Sequence, residues 1–243
     1  MELTKQNQYT MKRAASIGVL FVGAVGARVF WVNQVRALWG DEPFTTWLSS
    51  SALTTQAPMA FQDVSLFPTL VEWIARLFQT IGVSSSVAAA ISTIFVYVLF
   101  GGLLVAPVYG IARRMGGEAI AAGAGLATVF YPAMLGSFPQ GGAMVEPVYL
   151  LLVAAAWYFL LVAVDEGSLS PAGLGGLFVG LAYLTRPEAL VYLVFALGML
   201  LVATWLSRKH SFELRRAAAN FGIALAMFAM IAGPYLAGIY QVR

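Results

Sequence analysis

The sequence contains no cysteine and a single histidine, His210, among its 243 residues. The absence of cysteine excludes disulfide bonds, thiolate metal sites and a cysteine nucleophile. One histidine does not supply the set of imidazole ligands that histidine-based metal sites use. No Gly-rich phosphate loop or dinucleotide fingerprint is present either, so the sequence does not support a cytosolic nucleotide-sugar site.

Charged residues are also scarce, at 10% of the chain, whereas hydrophobic residues make up 60%. A soluble domain carries about a quarter charged residues, so this composition indicates an integral membrane protein. Each membrane-spanning helix needs about 20 mainly apolar residues, which leaves room for about seven spans. We therefore predict an all-α, multi-pass fold with one polytopic membrane domain over residues 1–243.

The basic residues predict the orientation of the chain, because Lys and Arg collect on cytoplasmic loops. They favour a cytoplasmic N-terminus, an external C-terminus and a long first external loop over residues 33–86; the net charge of +3 reflects this topology rather than nucleic-acid binding. The predicted spans cover about 14–32, 87–111, 119–135, 143–164, a hairpin over 171–207, and 217–240. The basic residues assigned to the cytoplasmic side are Lys5, Lys12, Arg13, Arg113, Arg114, Arg208, Lys209, Arg215 and Arg216.

The apolar run over 171–207 is too long for one span and carries Arg186-Pro187-Glu188 near its middle. As a helix, its first part up to Thr185 is about 22 Å long. The hydrocarbon core of a membrane is about 30 Å thick. We therefore predict a tight hairpin whose turn lies within the outer edge of the membrane, with Arg186 partly buried.

The first external loop contains a predicted amphipathic helix over residues 66–81, ended by Gly82. Glu72 and Arg76 are an i,i+4 pair on its polar face. Such a helix can lie flat on the membrane surface. The polar face comprises Thr69, Glu72, Arg76, Gln79 and Thr80.

Asp41 and Glu42 follow the first span directly, within the string Gly40-Asp41-Glu42-Pro43. A carboxylate at the membrane boundary is partly desolvated, which favours its use as a general base, and Asp41 is the best candidate. The alternative is helix capping, since Pro43 suits the first position of a helix.

Four other polar residues of the predicted external side are candidates for substrate binding: Arg36, Glu146, Arg186 and Glu188. A guanidinium matches phosphate oxygens, so Arg186 is a candidate for a phosphate or pyrophosphate. The alternatives are a pair with Glu188 or an interfacial anchor for Arg186, and capping of the fourth span for Glu146. Arg28 lies inside the first span, where it either snorkels to the interface or serves the site. Close helix packing is predicted at the glycines at 101, 102, 173, 175, 176 and 180.

The order of these features resembles the membrane glycosyltransferases of the GT-C fold. The residues that carry the resemblance are the Gly40-Asp41-Glu42 motif, Phe67-Pro68-Thr69-Leu70, Glu146, and the string Leu184-Thr185-Arg186-Pro187-Glu188. The resemblance is closest to the protein mannosyltransferase and aminoarabinose transferase type, that is, family 39 and its bacterial relatives. Members usually continue with further spans and often a soluble outer domain, so the similarity covers their N-terminal seven-span module.

This resemblance implies a sugar donor carried on a polyprenyl phosphate, an outward-facing site and inversion at the anomeric carbon. Asp41 matches the residue that activates the acceptor hydroxyl, Glu42 supports it, and Arg186 is the candidate for the lipid phosphate. The implied acceptor is an extracytoplasmic glycan, lipid or protein, and the implied location is a bacterial or archaeal plasma membrane. A divalent metal is not indicated by the sequence, although metal dependence varies across the fold.

Two alternatives to an enzyme are a non-catalytic membrane scaffold of the same fold and a lipid or sugar transporter. A transporter is expected to carry polar residues deep within several spans. Apart from Arg28 the predicted spans are almost free of them, which counts against transport. A scaffold is expected to tolerate the loss of Asp41.

Overall fold

The computed structural model describes residues 2–39, 66–131, 145–192, 194–195, 198 and 211–241. These residues are helical apart from short turns, and no strand occurs among them. The prediction of an all-α fold is therefore confirmed. The helices are α1 (Glu2–Trp39), α2 (Leu66–Thr80), α3 (Ser85–Leu103), α4 (Val105–Val129), α5 (Glu146–Glu166), α6 (Leu169–Tyr183) and α7 (Ser211–Gln241).

Four helical stretches of the described chain are long and apolar enough to cross a membrane: Tyr9–Ala37, Ser85–Val129, Glu146–Glu166 and Arg215–Ala237. Helix α6 is a shorter apolar helix. These stretches agree with a multi-pass membrane protein, and the number of seven spans stays a prediction.

The stretch Ser85–Val129 is interrupted at Gly117 rather than between α3 and α4. Leu104, which separates the two helices, keeps right-handed helical angles (φ −54°, ψ −29°), whereas Gly117 has φ +79° and ψ −168°. Glycine adopts a positive φ without the steric cost that a Cβ imposes. A Cβ built at Gly125 would lie 3.7 Å from the Tyr109 ring, so the chain turns back on itself after Gly117. This break agrees with the two separate spans predicted for this region.

A polar cluster accompanies the Gly117 turn. The Tyr109 hydroxyl donates a hydrogen bond to Glu118 Oε1, and Arg113 Nε donates to Glu118 Oε2 at 2.9 Å. Glu118 therefore neutralises part of the basic charge that precedes the turn.

The chain divides into two compact units, of which the first contains α1, α3 and α4. Helix α1 packs against both other helices, and Ala24, Val105 and Val129 form a buried cluster there. A Cβ at Gly102 would lie 2.8 Å from Val25 Cγ2, so glycine at 102 permits the close approach of α1, as predicted. The described residues of the first unit are 2–39, 70–131 and 145–147, and those of the second are 66–69, 148–192, 194–195, 198 and 211–241.

In the second unit, α6 lies along α7 through a row of glycines. A Cβ at Gly176 would overlap the carbonyl of Ala224 on α7, and one at Gly180 would lie 2.8 Å from Ile231 Cβ. On the other side of α6, a Cβ at Gly175 would lie 2.7 Å from the Leu160 side chain of α5. The predicted role of these glycines in close packing is confirmed.

Helix α2 matches the predicted amphipathic helix and ends before Gly82, which has φ +90°. Its apolar residues divide into a buried stripe and an exposed stripe. Its polar pair, Glu72 and Arg76, is joined by an ion pair. Its position on the membrane surface stays a prediction. The buried stripe is Phe67, Val71 and Ala75, and the exposed stripe is Trp73 and Leu77; Ile81, in the turn after the helix, is exposed as well.

Candidate functional site

The polar string after α6 forms a turn that ends this apolar helix. The backbone amides of Thr185 and Arg186 both donate to the Ala182 carbonyl, at 3.0 and 2.8 Å. Pro187 has no amide hydrogen and cannot continue the helical hydrogen-bond ladder. The Ala189 amide then donates to the Arg186 carbonyl at 3.1 Å, which starts the next helical turns. The turn therefore places Arg186 and Glu188 at the end of an apolar helix.

After the turn the chain returns along α5, as the hairpin prediction requires. We call residues 189–192 and 194–195 the return segment. The Tyr192 ring lies 6.3 Å from the Tyr149 ring, and the Phe195 ring lies 6.2 Å from that of Trp157. Because α5 and α6 are joined by a tight turn at Gly167 (φ +63°), the return segment and α6 run in opposite directions. The described part of this run therefore reverses its direction at the turn, which agrees with a hairpin, and the number of spans in it stays a prediction.

Arg186 is half-buried, as predicted, and stands over the face of Tyr149. Its guanidinium carbon lies 5.9 Å from the ring centroid, and a cation–π contact of this kind contributes about 0.5–1 kcal/mol. Tyr149 is itself only 6% exposed. Glu188 is exposed and close enough to interact electrostatically with Tyr149. The turn thus combines one cation, one carboxylate and a buried aromatic support.

A small apolar crevice lies between α5, α6 and the return segment. Tyr192 lines it and also contacts Tyr149, so the crevice begins beside the aromatic support of Arg186. A charged rim next to an apolar crevice suits a molecule with an anionic head and an apolar tail. The lining residues are Val153, Ala156, Trp157, Leu160, Val179, Ala182, Ala189 and Tyr192.

The first residue of helix α2 is hydrogen-bonded to the chain just before the same turn. The Leu66 amide, at the start of α2, donates to the Leu184 carbonyl at 3.0 Å. Leu184 lies two residues before Arg186. The N-terminus of the amphipathic helix is therefore attached to the turn that carries the cation.

The other predicted site residues do not lie at the Arg186 turn within the described part of the chain. Glu146 lies half-buried in the first turn of α5, and Arg36 is exposed in the last turn of α1; both belong to the first unit. Asp41 and Glu42 lie outside the described residues. Within the ranges that the structure describes, no group of three or more histidine, aspartate or glutamate residues is placed to hold a metal ion.

The two tyrosines of the site were not predicted from the sequence. Tyr149 stands one helical turn after Glu146, and Tyr192 follows Arg186 in the return segment. The sequence does show an aromatic residue close to each of two predicted polar residues. This pattern does not tell whether the ring lies in the site or in the core, because that depends on how the hairpin folds back.

The Arg28 side chain does not extend toward the polar end of α1, as snorkelling to the interface would require. It is fully buried, and its Nη1 donates to the Ala24 carbonyl at 3.0 Å, one turn toward the N-terminus of α1. The side chain therefore points along its helix away from Asn33, where exposed polar residues begin. Its Nε and Nη2 have no hydrogen-bond partner. Because the guanidinium is buried inside the protein and does not extend to the polar end of the helix, the expectation of snorkelling is wrong.

Residues 67–232 match the family described as dolichyl-phosphate-mannose-protein mannosyltransferase. The match spans more than half of the chain. The chain belongs to this family. It is an integral membrane glycosyltransferase of the GT-C type, which confirms the resemblance inferred from the sequence. Comparisons with curated proteins and with solved structures give no match. The matched region includes Glu146, Arg186 and Glu188, and it begins after the acidic pair at 41 and 42.

Proposed function

We propose that the chain transfers a sugar from a polyprenyl-phosphate donor to an acceptor outside the cytoplasm, with inversion at the anomeric carbon. The observation that carries this proposal is the arrangement of Arg186 over Tyr149, beside the crevice that Tyr192 lines. The guanidinium suits the phosphate, and the apolar side chains that line the crevice suit contact with the isoprene chain of the lipid. Family membership supports the same class of donor.

In this proposal Arg186 binds the phosphate through two parallel hydrogen bonds, the geometry in which a guanidinium matches phosphate oxygens. As the bond between the anomeric carbon and the phosphate oxygen breaks, negative charge builds up on the leaving polyprenyl phosphate. A fixed cation at that point stabilises the transition state more than the bound donor. We assign Glu146, Glu188 and Arg36 to contacts with the sugar and the acceptor.

Asp41 is the proposed general base. Its carboxylate takes the proton of the acceptor hydroxyl while the hydroxyl oxygen attacks the anomeric carbon opposite the phosphate. The new glycosidic bond forms as the bond to the phosphate breaks, so the configuration inverts and polyprenyl phosphate leaves with the electron pair. Glu42 supports Asp41 or binds the acceptor.

The test is sugar transfer by the purified chain from a panel of polyprenyl-phosphate sugars, beside the Asp41→Asn variant. General-base catalysis contributes about 10²- to 10⁴-fold, so we expect Asp41→Asn to lower kcat by a factor in that range while the variant unfolds at the wild-type temperature. Asp63→Asn, in the same loop, serves as the matched control and is expected to keep its activity.

Turnover that survives Asp41→Asn would move the base to another residue. A folded wild-type chain without turnover on any donor would contradict the enzymatic function and favour a non-catalytic scaffold.

A further inference from the structure

Arg28 is a buried charge for which the proposed reaction has no use. It sits against Gly101 of α3, where a Cβ would overlap Arg28 Nε and lie 2.9 Å from Cδ and 3.0 Å from Cζ. Only glycine at 101 leaves space for the guanidinium in this position. We call this contact the Arg28–Gly101 interlock.

The residues of α3 around the Arg28–Gly101 interlock fit Arg28 in only one register of α1 on α3. Thr93 and Tyr97 precede Gly101 on the same face of α3, at spacings of four residues, and both are buried. Tyr97 is close enough to interact electrostatically with Arg28. Because an α-helix turns by about 100° per residue, a slip of one residue would remove Arg28 from Gly101 altogether.

The buried guanidinium is not explained by stability. With Nε and Nη2 lacking acceptors, an apolar side chain of similar volume would stabilise the fold at least as well. Buried polar groups of this kind are best known for selecting one register of packed helices. A lipid headgroup is also a poor partner, because the side chain points away from the exposed polar end of α1.

Helix α1 connects this interlock with the acidic motif. It is continuous from Glu2 to Trp39, so about 16 Å of rigid helix separates Arg28 from Trp39. Asp41 follows two residues later in the chain. Any shift or rotation of α1 at Arg28 is therefore passed to the point from which the acidic motif starts.

We propose that Arg28 is a positioning residue for the transfer reaction. The Arg28–Gly101 interlock holds α1 in one register on α3, and the chain continues from the end of α1 into the acidic motif. The role assigned to Asp41 rests on the proposed function, whereas the interlock itself is tested without activity.

The kinetic test is Arg28→Met, which keeps an unbranched side chain out to the position of Nε and removes the charge and the hydrogen bond. Misplacement of a catalytic group by about 1 Å costs on the order of 100-fold in rate, so we expect a loss of that order in kcat. The donor KM is expected to stay within about 3-fold, since the phosphate site is unchanged. The unfolding temperature is expected to stay equal or rise, since a buried charge is removed. Gly101→Ala should lower kcat similarly, while Gly26→Ala, a position with open space around it, should not.

Three kinetic results would overturn the proposal. They are full kcat in Arg28→Met, a loss of kcat matched by a fall in unfolding temperature, or a large rise in the donor KM. The last result would place Arg28 in donor binding instead.

The structural test uses the natural absence of cysteine. Ala24→Cys with Val105→Cys places two thiols in the buried cluster that α1 forms with the start of α4, which follows α3 without a break in helical angles at Leu104. We expect efficient disulfide formation in this pair and a several-fold lower yield when Arg28→Met is added. An unchanged yield would refute the interlock, even if the wild-type chain shows no transfer activity.

Discussion

Two arginines, one within an apolar helix and one at the turn that follows an apolar helix, show how strongly the environment of a residue determines its role. Arg186 stands at a turn, half-buried over Tyr149. Arg28 is fully buried between α1 and α3. The first is therefore suited to bind an anion, and the second to fix a helix contact.

For Arg186 we predict that Arg186→Gln lowers kcat/KM for the donor by about 10- to 100-fold, with a clear rise in KM. A hydrogen bond to a charged group is worth about 1.5–3 kcal/mol, and the neutral amide loses the charge. We expect kcat/KM of Arg186→Lys to lie between the values of the wild type and of Arg186→Gln, because lysine keeps the charge but lacks the planar guanidinium. Steady-state kinetics over a range of donor concentrations measures both parameters.

The control for this prediction is Arg76→Gln. Arg76 is an exposed arginine paired with Glu72 on α2, so its loss should leave the donor KM unchanged. If Arg186→Gln also left the donor KM unchanged, the phosphate would have to bind elsewhere.

At the level of helices, the close contact of α6 with α7 depends on glycines of α6 that have no side chain at the contact. We predict that Gly176→Ala destabilises the protein, because its Cβ would overlap the backbone of Ala224. Forced overpacking costs about 1–3 kcal/mol. Thermal unfolding in detergent or lipid is the measurement, and a lower unfolding temperature is expected.

The matched control is Gly222→Ala on α7, where nothing lies within 4 Å of the new Cβ. Alanine is favoured over glycine within a helix by about 1 kcal/mol, so this variant should be equally or more stable. Equal unfolding temperatures for both variants would show that the two helices separate easily to admit a methyl group.

At the level of the whole molecule, the predicted topology places Ser84 outside and Ser170 in the cytoplasm. Both side chains are exposed, and the chain has no native cysteine. We predict that Ser84→Cys reacts with a membrane-impermeant maleimide on intact cells, whereas Ser170→Cys reacts only after the cells are opened. The reverse pattern would invert the orientation and place the proposed site on the cytoplasmic side.

Much of the fold was predictable because it depends on local properties of the chain. Apolar runs of membrane length predicted the helices, and polar residues at three- and four-residue spacing predicted α2, which begins at Leu66 and ends before Gly82 as expected. The break near Gly117 and the turn at Arg186-Pro187-Glu188 could also be predicted. Gly117 can adopt a positive φ, and Pro187 has no amide hydrogen with which to continue a helix.

The sequence by itself thus determined an all-helical membrane protein of the glycosyltransferase type, since composition, hydrophobic period and short motifs need no knowledge of contacts. Only the tertiary structure decided which residues meet. It set Arg186 over Tyr149, brought Tyr192 back along α5, and turned Arg28 inward against Gly101 rather than toward the membrane surface. The physical reason is that these contacts join helices distant in the chain, and their partners depend on how the helices pack.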